Sequence, residues 1–452
     1  MNTTPTLPRP GGRNAALKLF GIGVLTLVMI VPLMLIGNLV DERRASAYDA
    51  EASIAQGWGG AQALAGPFLV VPFEAPERRD PQGRVVAEAI RGEIVTLPRT
   101  LDVQVAAGVE ERARGIFTIP VFAADVVMAG AFGLPDPRLA PPGAVFDWSR
   151  ARIALSISDV RGLSGEPALE WDGARSDTAF APGTGISGMN EGLLAPVALK
   201  GKETPYRLTL RLRGTARFAL VPGGESFSAT IAAPWAHPSF DGAYLPEDRQ
   251  IGADGFTASW RVSHLARAMP QAWVNGEYGY PSSSAFGVTF FQPVAFYQLV
   301  ERSLKYAILF IGLSFLTFFL VETVTGARIH VVQYLLAGAA QVIFYLLLLA
   351  LAEQTGFGSA YLIAAIACTG LTGLYAGSAL GSHKRGLAVA GALTALYALL
   401  YTLLNEEDYA LLTGAVASFL ALALTMFLTR RVDWYEAQTG ISGRSAEGAS
   451  HA

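Results

Sequence analysis

Apolar positions are spread unevenly along this chain, and their spacing changes character twice. Leu19 to Val40 is one uncharged run of 22 residues, followed by a long polar stretch with Gly/Pro punctuation. At about 1.5 Å per residue such a run is long enough to cross a hydrocarbon core about 30 Å thick. Apolar blocks then crowd between Tyr306 and Leu428, resolving into five further spans at roughly 306–322, 331–352, 360–380, 386–404 and 409–429. A basic segment (Arg9, Arg13, Lys18) and an Ala45-Ser46-Ala47 triplet imitate a cleaved leader. A leader's apolar region is only about 7–15 residues long, however, and here Asp41-Glu42-Arg43-Arg44 intervenes. The pattern predicts an uncleaved anchor, kinked at Pro32.

Between the two apolar regions the period falls to two. In YRLTLRLRGTARFAL (206–220), Leu208, Leu210 and Leu212 share one face while Arg207, Thr209, Arg211 and Arg213 share the other. IFTIPVF (116–122), RIALSISDV (152–160), FSATIA (227–232) and FTASWRVSHL (256–265) have the same character, and FLVVPF (68–73) reads as the first buried strand. Pro-Gly, Gly-Gly and Asp-Gly steps at 142–143, 182–183, 222–224, 241–242 and 254–255 mark turns. A twisted sandwich or barrel-like all-β domain follows, with a split into two β subdomains near 183–192 left open. DERRASAYDAEASIAQ (41–56) predicts a helical stalk continuing the first span. Gly57 would stop it, and Gly59-Gly60 would turn the chain into the β-domain.

Composition sharpens the class. Of 452 residues 52% are hydrophobic and only 16% charged, too apolar for an ordinary cytosolic enzyme. The formal net charge is −3, and residues 41–303 hold 24 Lys/Arg against 29 Asp/Glu without long blocks, so no nucleic-acid partner is expected. The single cysteine, Cys368, lies in an apolar block, which excludes an intrachain disulfide. Loop charge sets the orientation. The connectors with Arg328, with Lys384 and Arg385, and with Arg430 and Arg431 should face the cytoplasm; EQTGFG (353–358) and NEED (405–408) contain neither Lys nor Arg. Six crossings place every connector accordingly. The expected organisation is a cytoplasmic N-terminus (1–18), a transmembrane helix (19–40), a stalk (41–57), a periplasmic β-rich domain (58–303), a five-helix transmembrane bundle (304–430) and a cytoplasmic, unstructured tail (431–452).

Candidate chemistry is sparse. The five histidines (His237, His264, His330, His383, His451) form no His-x-x-x-His pair, and neither a Gly-x-Ser-x-Gly elbow nor a Ser-x-x-Lys motif occurs. No catalytic residue, metal or cofactor is expected. PGTGISGMNEG (182–192) lacks the Gly-Lys-Ser/Thr ending of a phosphate cradle and reads as a flexible loop. The densest unusual stretch, 234–267, contains Trp235, His237, Asp241, Asp248, Arg249, Trp260, Arg261, His264 and Arg267. It is either a recognition surface or a long hairpin whose tryptophans fill the core. The span interiors contain no Asp, Glu, Lys, Arg or His, which argues against a coupled transporter. Gln341, Thr372 and Thr394 are expected to bond between helices, with LLAGAA (335–340) and GLTGLYAGSALG (370–381) packing closely.

Both ends of the β-domain are tethered. Trp58, about 27 Å beyond Val40 on a straight helix, should dock on the β-domain rather than in the interface. Pro293 should open a helix running into the second span, with Tyr297 on its apolar stripe and Glu301, Arg302 and Lys305 near the headgroups. Trp58, Pro293, Tyr297 and Glu301 are therefore candidate tether and coupling residues.

The stretches WGGAQALAGPFLVVPF (58–73), HPSFDGAYLP (237–246), GFTASWRVSHLAR (255–267), FGVTFFQPVAFYQ (286–298), KYAILFIGLSFLTFFLVE (305–322), RIHVVQYLLAG (328–338) and LTRRVDWY (428–435) carry a resemblance. In them the chain resembles the CreD family of inner-membrane proteins, often labelled cell-envelope integrity proteins, from about Leu17 to Tyr435. The resemblance implies an envelope-stress component linked to the β-lactam response, with expression under a two-component system; it supplies no reaction and no catalytic residues. The expected function is non-enzymatic, with the β-domain binding an envelope component (protein, lipid or wall) beside the lipid bilayer. A transporter or lipid-handling protein is the alternative, and a periplasmic hydrolase the weaker third.

Overall fold

The computed structural model describes residues 12–199, 203–267, 269–279, 282–290, 296–325, 329–405 and 410–430. The chain divides into two compact units, residues 1–46 with 293–452, and residues 47–292. Pro293, expected to open a helix, lies outside the described residues, as does the 431–452 tail.

The first unit is helical: α1 (Gly12–Val28), α2 (Ile30–Trp58), α3 (Phe296–Thr325), α4 (Val331–Thr355), α5 (Phe357–Ala379), α6 (His383–Asn405) and α7 (Ala410–Thr429), with α2 continuing into the second unit. The break at Met29 falls where Pro32 has no N–H to offer the carbonyl of Val28. Backbone bonds from Met29 N to Leu25 and from Leu33 N to Met29 carry the helix past it. The helix ends one residue later than expected. Gly59, at φ +111, is the stop, and a Cβ there would lie 2.8 Å from the carbonyl oxygen of Arg213, a space only glycine fits. Among the described residues five helices are long and apolar enough to cross a membrane: the one formed by α1 and α2, then α3, α4, α5 and α6. In α7 the apolar segment Gly414–Phe427 is shorter.

Small residues let α5 and α6 approach closely. A Cβ on Gly386 would lie 2.6 Å from the Cα of Gly377, and one on Gly373 would lie 2.7 Å from the Cβ of Ala390. The expected interhelical polar bonds are not what binds them. Thr394 donates to the Ala390 carbonyl in its own helix (2.9 Å), the usual short reach of a threonine hydroxyl. Gln341 Nε2 and Thr372 Oγ1 are buried with no partner among the described residues.

The second unit is a two-sheet sandwich. One sheet has ten strands among the described residues, ordered Ala181–Pro182, Gly192–Pro196, Arg152–Ile157, Gln62–Ala75, Arg217–Val221, Phe286–Phe290, Pro238–Gly242. Ile90–Thr96, Ala272–Val274 and Val145–Phe146 branch from that path. The other has eight: Ala174–Arg175, Ala168–Trp171, Glu203–Thr215, Phe117–Gly133, Thr100–Arg114, Ser226–Ala233, Gly255–Ser263, Asp248–Gly252. Their inner faces share one core, in which Leu64, Leu69, Val71, Phe218 and Phe286 meet Leu101, Val103, Val126, Leu208, Leu212 and Trp260. The 62–75 strand is buried on both faces, since Ala65, Phe68 and Val70 pack on the outer side against Met269 and Trp273. Double burial explains why its sequence is continuously apolar instead of alternating.

The 206–220 segment is two strands. Ala216, left-handed at φ 58, breaks it, so that 203–215 lies in the eight-stranded sheet and 217–221 in the ten-stranded one. The split near 183–192 does not occur. The 181–182 and 192–196 strands on either side pair with each other, Ala181 opposite Leu194, and belong to the same sheet.

Candidate functional site

The 234–267 stretch does not form one surface, because strand alternation sends its members in opposite directions. Trp260 is 1% exposed in the shared core, its ring 5.3 Å from Phe286 and its Nε1 donating to the Tyr244 carbonyl at 3.2 Å. Trp235 is half-buried against Phe290, and its Nε1 donates to the His237 carbonyl at 3.1 Å. Arg267, expected as a surface cation, is 8% exposed. It donates to Gln271 Oε1, its Nε has no partner among the described residues, and burial lowers its pKa. Trp260 and Arg267 are corrections to a surface role, whereas Trp235 stays partly exposed.

The remaining members, Asp241 half-buried and the others exposed, are divided between sheets. Asp241, on the 238–242 strand of the ten-stranded sheet, accepts from Arg217 Nη2 (2.6 Å) and from Thr289 Oγ1 (2.6 Å). Burial alone would raise its pKa; the bonds from Arg217 and Thr289 outweigh that and lower it. His237 is exposed just before the same strand. Asp248, Arg249 and Arg261 stand on the eight-stranded sheet, Arg261 pairing with Glu247 at 3.5 Å, and His264 follows with Nδ1 3.2 Å from the Glu225 carbonyl.

The tether candidates have specific partners. Within the β-domain unit two guanidinium groups lie over the Trp58 indole, Arg112 at 3.7 Å and Arg213 at 4.6 Å from its ring centre. Its Nε1 donates to the Phe122 carbonyl at 3.2 Å. Docking satisfies the indole N–H while the ring takes two cation contacts. In the helical unit Tyr297 is buried and donates to Glu353 Oε1 at 3.0 Å, with Arg43 3.9 Å from the same oxygen. Glu301 accepts from Arg44 (2.7 Å) and Lys305 (2.9 Å). A second polar cluster ties α1 to α3: Lys18 Nζ donates to Glu322 Oε1 and to the Ile329 carbonyl, and Tyr334 donates to Glu322 Oε2. Glu322 and Glu353, silent in sequence except as helix-end charges, are therefore the acceptors that bring distant helices together.

One constellation had no sequence signal. Glu93 takes a two-pronged bond from Arg152 (2.8 and 2.9 Å) and a third from Asn275 Nδ2 (2.8 Å). Asn275 also donates to the Gly185 carbonyl and accepts from Ser187 N. With Thr184, Ile186 and Met189 buried, the 182–192 loop is pinned rather than flexible, a correction that follows from its own apolar residues packing inward. Burial would raise the Glu93 pKa, but the bonds from Arg152 and Asn275 lower it below the usual carboxylate range. A carboxylate with a depressed folded pKa contributes stability at pH values above about 4.3, and this is lost as pH falls through the folded value. Glu93→Gln is expected to cost about 1–3 kcal/mol at neutral pH and to flatten the acid limb of a stability-versus-pH curve. An unchanged acid limb in denaturant titrations would show that this cluster does not set it.

Among the described residues no group of three or more His, Cys, Asp or Glu is placed to hold a metal ion. The contacts found are ion pairs, caps and aromatic packing, an arrangement suited to holding surfaces in place.

The family model for "Inner membrane protein CreD" matches residues 14–435. Inner membrane protein CreD of Escherichia coli (strain K12) is 35% identical over 423 residues, covering 92% of each chain. Among solved structures, native yeast LTA4 hydrolase overlaps 48% of this chain and 34% of its own at 8% identity, with a TM-score of 0.17 that carries no argument. A match of this extent, on a β-rich domain set between apolar helices, makes the chain a member of the CreD family of inner membrane proteins.

Proposed function

We propose that this inner membrane protein keeps both termini in the cytoplasm and its β-domain in the periplasm. There the domain binds an envelope component without catalysing a reaction, as part of an envelope-stress response. The observation that carries the binding reading is an open trough of about 880 Å³ on the eight-stranded sheet, lined by Ala106, Gly108, Asp125, Ala232, Gln250 and Thr257. It lies where the 226–233 strand stops: pairing with the 100–114 strand ends at Ala106, and from Ala107 onward that edge has no strand partner among the described residues. A wide trough beside a free strand edge suits an extended ligand, held by backbone bonds and small side-chain pockets. It does not enclose a small molecule as a catalytic pocket would.

A photo-crosslinking side chain at Gln250 should capture a discrete envelope component in living cells, and the same group at exposed Glu77 should not. Failure of Gln250 to capture anything above the Glu77 background would remove the binding reading.

Orientation rests on the lysine and arginine of the short connectors. Cysteine replacing Glu407 should react with an impermeant thiol reagent in intact cells, whereas cysteine replacing His383 should react only after lysis. Native Cys368 is buried and gives little background. The reverse labelling would overturn six crossings with an external β-domain.

A further inference from the structure

α5 and α6 pack against each other, most closely at the Gly373, Gly377 and Gly386 contact described above. Toward the other end tyrosines join them: the Tyr361 and Tyr401 rings meet at 5.1 Å, and the Tyr361 hydroxyl donates to the Tyr397 carbonyl at 2.6 Å. Between these ends lies an open groove of about 620 Å³. Its floor and walls include Leu362, Ala365, Ile366, Gly370 and Ala398. Thr394 also lines it, but its hydroxyl is already bonded to Ala390, so no free donor enters the groove from that side chain. Gly370 leaves its share of the groove empty, with no atom within 4 Å of where a Cβ would stand.

We propose that this groove is a binding site for one acyl chain of a bilayer phospholipid. Both helices are apolar enough to cross the membrane and belong to an inner membrane protein, so the open side of the groove faces hydrocarbon. The α5 wall from Gly358 to Gly370 is about 18 Å long at 1.5 Å per residue, close to the ~15 Å depth of a single leaflet. The tyrosines at the Tyr361–Tyr401 end mark the level of the headgroups, where amphipathic rings settle. The chain therefore enters beside Tyr401 and runs toward Gly370. A hydrocarbon chain fits because every methylene leaves a mobile lipid environment for fixed van der Waals contact, which lipid packing alone does not supply. This inference stands apart from the periplasmic binding reading, since it concerns only α5 and α6.

The test uses the full-length protein in nanodiscs of phosphatidylethanolamine and phosphatidylglycerol, doped with phosphatidylethanolamine carrying a photoactivatable diazirine in its acyl chain. Crosslinks mapped by mass spectrometry should favour Leu362, Ala365 and Ile366 by about fivefold over Leu374 and Leu387, which are more exposed but lie outside the groove. Gly370→Leu, which fills open space, should bring groove labelling down to the level at Leu374. Gly391→Leu, equally open but outside the groove, should leave it unchanged. Ile366→Trp is the second filling variant should Gly370→Leu fail to fold. Labelling in simple proportion to exposure, labelling that survives both filling variants, or protein–protein crosslinks from a second copy seated in the groove would each overturn the proposal.

Discussion

Replacing Trp260 by alanine is expected to destabilise the β-domain by about 3–5 kcal/mol, the cost of emptying a large aromatic site in a packed core. The indole is 1% exposed, touches Phe286 and Phe240 at 5.3 and 5.8 Å between ring centres, and donates its N–H to Tyr244. Its loss leaves a cavity between the two sheets and an unpaired carbonyl at Tyr244, whose own hydroxyl holds the Ala266 carbonyl at 2.8 Å. Arg261, next in sequence, is exposed and pairs with Glu247 at 3.5 Å across a solvated surface, so Arg261→Ala should change stability by only about 0.5 kcal/mol. Denaturant unfolding of the detergent-solubilised chain, followed by circular dichroism of the β-structure, separates the two. Equal effects at 260 and 261 would mean that the 255–263 strand is not inserted as described.

Breaking the Lys18–Glu322 cluster is expected to cost about 3 kcal/mol through Glu322→Ala, because the mutation strands three donors at once. Lys18 and Glu322 side chains are 23% and 13% exposed, and Glu322 also accepts from Tyr334 and from the Ile329 backbone. The paired substitution Lys18→Met with Glu322→Leu should recover the part of that loss that comes from the unpaired ammonium, while the Tyr334 hydroxyl and the Ile329 N–H still lack their acceptor. Thermal unfolding of the four combinations gives the coupling directly. Additive losses, with no recovery in the double variant, would show that the ammonium and carboxylate do not depend on each other.

Sequence alone determined the class of this protein. Uninterrupted apolar runs have few structural outcomes, because every backbone polar group must be satisfied within the span, and that constraint is readable residue by residue. Strand alternation in 206–220 was equally legible, and Leu208, Leu210 and Leu212 do face the core. Tertiary structure decided which side of the sandwich each element of 234–267 would occupy. A tryptophan and an arginine look alike on a recognition surface or in a core until the partner sheet is in place, and here Trp260 and Arg267 turned inward. Distant pairs were likewise invisible: Glu93 meets Arg152 and Asn275 across 59 and 182 residues, and Lys18 meets Glu322 across 304. Local spacing encodes period and turn, whereas ion pairs of that separation exist only once strand order and helix packing have brought their elements together. The groove between α5 and α6 belongs to the same class: its glycines were visible as small residues suited to close contact, but only the packed helices show which of them touch and which leave space.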